Sequence, residues 1–184
     1  MRKKITRDEI ESKLAISGDF VKIDFLTACL KKELDFDTKK FILITLSKLY
    51  ESRKMYLESA KMIKASADIN TTFKGKMDDF IKSAELYIKG GNFNDADASF
   101  NKALALANTE EKSLIKNIKK EYFKTQAKLY LKQDKRANAM KLYELILESF
   151  DLDILEKKEM QKTLLDLYQK LGKIREYASL QRSL

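Results

Sequence analysis

The chain contains no proline, no tryptophan and no histidine, and it has only five glycines in 184 residues. A β-sandwich or barrel needs many turns, and turns draw on glycine and proline. Their scarcity excludes an all-β fold and predicts an all-helical one. The missing histidine excludes a Ser-His-Asp triad, a Cys-His pair and a His-ligated zinc. Asp, Glu, Lys and Tyr are too few chemistries to suggest catalysis without a converging cluster, so the expectation is no enzyme, no cofactor and no metal. One cysteine forms no intramolecular disulfide, which suits a reducing, cytoplasmic setting. Cys29 lies in the apolar run Phe25-Leu26-Thr27-Ala28-Cys29-Leu30 and reads as a buried, inert thiol. No apolar run reaches the ~18 residues of a membrane helix. The basic start Met1-Arg2-Lys3-Lys4 has no apolar stretch behind it, unlike a signal peptide.

What is present is a core and a surplus of positive charge. Hydrophobic residues make up 44% and charged residues 35%, a balance that argues against disorder and against a membrane protein. The length suits one compact domain or one short stack of repeats. A formal charge of +9 and a pI near 9.4 fit affinity for an acidic protein, nucleic acid or anionic membrane. Lysine far outnumbers arginine and is rich alongside Ile, Asn and Phe, so codon bias in an AT-rich genome explains the surplus as well.

Tyrosines followed by turn signals recur along the chain. Tyr87 precedes Gly91 by four residues, and Tyr168 precedes Gly172 by four. Tyr130 runs into Gln133-Asp134-Lys135, Tyr50 into Glu51-Ser52-Arg53-Lys54, and Leu14 takes the same place before Gly18-Asp19. The spacings between these anchors are 36, 37, 43 and 38 residues. One helix closing at each anchor and another opening after each turn gives five hairpins, over about 6–34, 37–69, 73–107, 109–150 and 153–184, in one continuous domain. Thr6-x-x-Glu9 and Asp153-x-x-Glu156 are capping-box patterns, and Asp37-Thr38, Thr71-Thr72 and Thr109-Glu110-Glu111 supply further helix starts. Asn92-Phe93-Asn94-Asp95-Ala96-Asp97 has the look of a calcium loop but carries Asp97 where glycine is needed and Ala96 at a ligand place; it reads as a solvated turn. Asp35-x-Asp37 and Asp151-x-Asp153 read as caps.

In the segment Phe80–Ala103, Ala84 precedes Tyr87 by one helical turn, Gly91 permits the positive φ that ends the helix, and Ala96, Phe100 and Ala103 share a face. Ala127, Tyr130, Ala139 and Tyr143 repeat the pattern. These residues resemble the tetratricopeptide repeat, most clearly over residues 77–150. The resemblance implies an all-α, right-handed superhelical solenoid of about five hairpins, and a small non-enzymatic adaptor or scaffold that binds another protein. Two features depart from the family: no proline closes the repeats, and each spacing exceeds the usual ~34 residues. Longer helices, as in the variant repeats of vesicle-fusion adaptors or kinesin light chains, accommodate the second.

The same resemblance implies a concave groove lined by side chains six and two before each anchor and one and two after it. For Tyr130 these are Lys124, Lys128, Leu131 and Lys132, part of the series Lys112, Lys116, Lys120, Lys124, Lys128, Lys132. Steps of four residues turn a helix by about 400°, so the row drifts roughly 40° per step. Lys89, Lys132 and Lys170 each stand two past their tyrosine. Toward the N-terminus the same register offers Phe41, Ile44, Thr45, Lys48 and Ser52, then Ile81 and Ile88; Phe41 and Ile44 read equally as core. The asparagine of the family's carboxylate clamp is missing. The groove therefore predicts an acidic or amphipathic segment of another protein as partner. Two alternatives stand beside it. One is RNA or another nucleic acid on the lysine-rich face, against which arginine is scarce and the aromatics fall at core spacing. The other is self-association through an end of the stack near Leu180 and Leu184.

Overall fold

The computed structural model describes residues 5–183. Ten helices run through them and no strand occurs among them: α1 (Arg7–Ala15), α2 (Asp19–Cys29), α3 (Phe36–Ser52), α4 (Tyr56–Ile69), α5 (Phe73–Lys89), α6 (Phe93–Leu106), α7 (Thr109–Lys132), α8 (Arg136–Ser149), α9 (Ile154–Lys170) and α10 (Ile174–Arg182). Their starts are set by short polar side chains. Thr6 and Glu9 form the expected reciprocal capping box on α1. Asp35, rather than Asp37 or Thr38, caps α3: its carboxylate accepts from the Thr38 N–H and hydroxyl at 2.9 and 2.7 Å, which holds the carboxyl below its usual range. Thr72 caps α5, and Asn108 caps α7 through a reciprocal pair with Glu111, both bonds 2.9 Å. Asn92 of the calcium-like segment caps α6 by accepting from the Asp95 N–H.

The turns after the anchor tyrosines are one structure repeated four times. The residue four past the tyrosine is left-handed in each: Lys54 (φ 60°), Gly91 (φ 77°), Asp134 (φ 56°) and Gly172 (φ 68°). The next N–H returns to the tyrosine carbonyl, from Met55, Asn92 and Lys135 at 2.9 Å and from Lys173 at 2.8 Å. The left-handed residue itself bonds the carbonyl one past the tyrosine, as in Lys54 to Glu51 and Asp134 to Leu131. This pair of bonds is the Schellman closure, which satisfies carbonyls that the helix end leaves open and reverses the chain. The first turn differs. Gly18 has φ −74° and is the N-cap of α2, so α1 closes at Ile16 without a left-handed residue, and the expected equivalence of Leu14 with the tyrosines ends there.

The chain divides into two compact units, Met1–Ile115 and Lys116–Leu184, with the division inside α7. In the first, α2 packs on α3, α3 on α4, α4 on α5 and α5 on α6. In the second, α8 packs on α9 and α9 on α10. Small residues stand at the same offsets from the anchors and are buried: Ser47, Ala84 and Ala127 three before, Ser59, Ala96 and Ala139 nine after. The larger Ile63, Phe100 and Tyr143 follow thirteen after and are also buried. The second hairpin, faint in sequence, thus keeps the pattern with serine in place of alanine. The Ser47 and Ser59 hydroxyls lie 2.8 Å apart and the Ser59 hydroxyl also donates to the Ser47 carbonyl, so neither polar group is left unpaired. In the last hairpin the small positions are Leu165 and Tyr177, and α10 buries no residue completely. Ile10, Leu26, Cys29, Ile42 and Leu46 form the core of the first helices. Cys29 is a buried free thiol, and burial pushes its pKa up against the pull of Lys32 and Lys13.

Two stability predictions follow from the register. Ala84 is 0% exposed, so Ala84→Leu is expected to overpack its helix contact and cost about 1–3 kcal/mol in thermal unfolding; an unchanged melting temperature overturns the register. A side chain at Gly172 meets nothing within 4 Å, so Gly172→Ala tests backbone conformation alone. It is expected to destabilise by about 1–2 kcal/mol, while Lys54→Gly, relieving the same conformation, raises stability by up to about 1 kcal/mol in urea unfolding. Opposite signs for the two substitutions are the diagnostic result.

Candidate functional site: lysine–glutamate bridges between first helices

In the first unit the side chains that α3 and α5 turn toward each other are long and charged. Glu51 of α3 accepts from both Lys82 and Lys89 of α5, each at 3.3 Å. Glu85, between them on α5, reaches Lys82 at 3.2 Å and Lys89 at 2.6 Å. The four charges close a ring with two of each sign. Burial raises the Glu85 pKa, but the two lysines outweigh it and hold the carboxyl low; burial likewise lowers Lys89, and Glu85 and Glu51 more than restore it.

In the second unit one carboxylate does the same for α7 and α9. Glu156 accepts from Lys120 at 3.2 Å and from Lys124 at 2.5 Å. Lys124 also reaches Glu121 at 2.9 Å. The hydrogen bond from Lys124 holds the Glu156 carboxyl below its ordinary value, and the same bond raises Lys124. The bridge is therefore present above the ordinary carboxylate range and is lost as pH falls through the lowered value. The expected capping box of α9 is only half made: Asp153 accepts from the Glu156 N–H at 2.8 Å, while the Glu156 side chain turns to α7.

Beside this bridge lies a partly enclosed cavity of about 60 Å³ lined by Lys124, Lys128, Tyr143, Glu156, Glu159, Met160 and Thr163. Its polar lining and size suit a few waters or one small charged group. The drift of the lysine row explains which members reach it. Lys120 and Lys124 are half-buried against α9, whereas Lys112, Lys116, Lys128 and Lys132 are exposed. Lys128 stands at the cavity, and no ion pair to Lys128 or Lys132 occurs among the described residues.

The sequence-derived site residues fall into three groups. Lys128 and Lys132 are exposed, and no acid among the described residues forms an ion pair with either. Lys89, Lys124 and Lys170 are in ion pairs within their own units, Lys170 with the exposed Asp166 one turn back at 2.7 Å, so they do not offer free charge as expected. The apolar residues are largely core. Ile88 is 2% exposed and has no surface for a partner. Phe41 packs against the core of the first helices with the Arg7 guanidinium 4.5 Å from its ring centre, and Ile44 and Ile81 are half-buried. Lys48 and Ser52 are exposed and Thr45 half-buried. Leu180 is half-buried on α10; Leu184 and the basic start Met1–Lys4 lie outside the described residues.

Two residues that organise the site carry no signal in the sequence: Glu51 and Glu156 look like solvated or capping acids, because their lysines are on another helix. Glu85 does carry one, since Lys82 and Lys89 stand three and four residues away on the same helix.

No helix among the described residues is long and apolar enough to cross a membrane. No family model matches the chain, and no curated protein matches it. Among solved structures the chain is similar to BtubC (BKLC) from P. vanneervenii, at 13% identity and a TM-score of 0.39, over 94% of this chain and 74% of that one.

Proposed function

We propose that this chain is a non-enzymatic protein-interaction module, a tetratricopeptide-like stack of helical hairpins that holds an acidic or amphipathic segment of another protein along its first helices. The observation that carries this reading is the pair Lys128 and Lys132, exposed one turn apart on α7 with Lys128 at the cavity; no ion pair to either occurs among the described residues, while Lys120 and Lys124 are held by Glu156. Charge left uncompensated next to a recess attracts an acidic segment, chiefly by raising its association rate. The Schellman turn that recurs after Tyr50, Tyr87, Tyr130 and Tyr168 supports the repeat reading, since the same local reversal follows four of the five anchors. Tyr87, Tyr130, Tyr143 and Tyr168 are buried, so these rings offer no face on which a base could stack. A buried, unreactive Cys29 accords with action in a reducing compartment such as the cytoplasm.

The double charge reversal Lys128→Glu with Lys132→Glu tests the proposal. Binding of a fluorescent aspartate- and glutamate-rich peptide, read by anisotropy, is expected to weaken at least about tenfold, or ~1.4 kcal/mol. Melting temperature is expected to stay within a degree or two, because exposed side chains contribute little to stability. Affinity for the peptide equal to the parent's overturns the reading, as does tighter binding of single-stranded RNA of the same length by the parent.

A further inference from the structure

The bridge between α7 and α9 differs from the ring between α3 and α5 in one respect that bears on binding. In the ring, two lysines face two glutamates and each glutamate touches both lysines. In the bridge, the single carboxylate of Glu156 spans Lys120 and Lys124, and it does so at the wall of a cavity whose other wall carries the unengaged Lys128. Glu156, Lys124 and Lys128 all line that cavity, with the Thr163 and Tyr143 side chains and Glu159 around it. The Thr163 hydroxyl donates to the Glu159 carbonyl, so it is not aimed at Glu156. The Glu156 side chain is 23% exposed and the Lys124 side chain 16%, so the pair is shielded yet open on the cavity side. Glu121, the other acid on Lys124, is 60% exposed and lies on the same helix, where solvent competes for it.

We infer that Glu156 is an internal competitor: it occupies, with its own carboxylate, the lysine pair that an acidic partner's carboxylate takes when it enters the cavity past Lys128. This rests on the proposed binding of an acidic segment and adds to it the identity of the seat and the group that must be displaced. The chemistry is an exchange of one carboxylate for another on Lys124, with Lys128 supplying the additional charge that favours the incoming group. A site that is open only a tenth of the time binds about tenfold more weakly than one always open. Glu156 therefore sets the affinity threshold of the groove. A segment with one acid meets a seat already filled, and a segment with several acids, engaging Lys128 and Lys132 at the same time, displaces it.

The test is Glu156→Gln, which keeps the shape of the side chain and the backbone N–H that Asp153 caps. Anisotropy titration of the same acidic peptide is expected to show about five- to tenfold tighter binding than the parent, with unchanged helicity by circular dichroism. Glu33→Gln, an exposed acid of the other unit outside both bridges, is the control for net charge and is expected to leave the affinity within about twofold. Glu156→Ala serves as a second variant should the glutamine lower helicity. Peptide affinity in Glu156→Gln equal to or weaker than the parent's overturns the inference while leaving the groove reading intact, provided the parent binds and the Lys128–Lys132 reversal does not. An equal gain in Glu33→Gln overturns it as well, by reducing the effect to overall charge. A parent that binds no acidic peptide removes the groove reading itself.

Discussion

A helix of this chain can end only by satisfying its last carbonyls, and it must do so without proline and almost without glycine. The four turns after Tyr50, Tyr87, Tyr130 and Tyr168 meet that constraint with one left-handed residue and two returning hydrogen bonds. Everything downstream depends on this closure. It fixes the direction in which the second helix leaves, and therefore which residues of the two helices meet. The buried small residues three before and nine after Tyr50, Tyr87 and Tyr130 are the mark of that meeting, where a side chain the size of serine or alanine lets two backbones approach. The cost is visible where glycine is absent. Lys54 and Asp134 adopt a conformation that L-residues resist, and the hydrogen bonds and packing around them hold them in it.

The closure also sorts the helices into two roles. Second helices such as α4 and α6 bury alanine, serine and one large apolar residue, and they supply core. First helices bury one face and carry long charged side chains on another. Between α3 and α5, and again between α7 and α9, these side chains meet as lysine–glutamate bridges. Half-exposed ion pairs contribute little to stability, since the charges give up hydration to form them. Their consequence is electrostatic. They cancel charge locally, so that the positive surplus of the chain is not spread evenly over the lysine row but is left at particular members, Lys128 and Lys132 among them.

Several features were legible in the amino-acid order because they depend on near neighbours. The absence of proline predicted helices, tyrosine–glycine spacing predicted Gly91 and Gly172 as turn residues, and Ala84 and Ala96 were recognisable as contact residues from their offset. The second hairpin was half-hidden because Ser47 and Ser59 replace alanine, and serine at a small buried position is recognisable only once its hydrogen bond is seen. The equivalence drawn for Leu14 and Gly18 did not hold, because glycine permits a positive φ without requiring one; here it serves as an N-cap. The candidate groove was less legible still. Ile88 stands one past its tyrosine, as do the half-buried Leu131 and the exposed Gln169, yet it is buried.

Sequence alone determined what is local: helix content, most helix boundaries, the repeated turn, the small contact residues and the overall excess of lysine over acid. Each follows from backbone geometry or side-chain size within about one helical turn of the residue concerned. Tertiary structure decided which charges remain. Glu156 lies 32 positions beyond Lys124 in the chain, and nothing periodic links the two. Their bond exists because two helix reversals bring α9 back alongside α7, and Coulomb attraction acts through space rather than along the chain. Lys124 and Lys128, one turn apart on the same helix and alike in sequence, end in opposite states for that reason: one is held by an acid from another helix, and the other faces an open cavity.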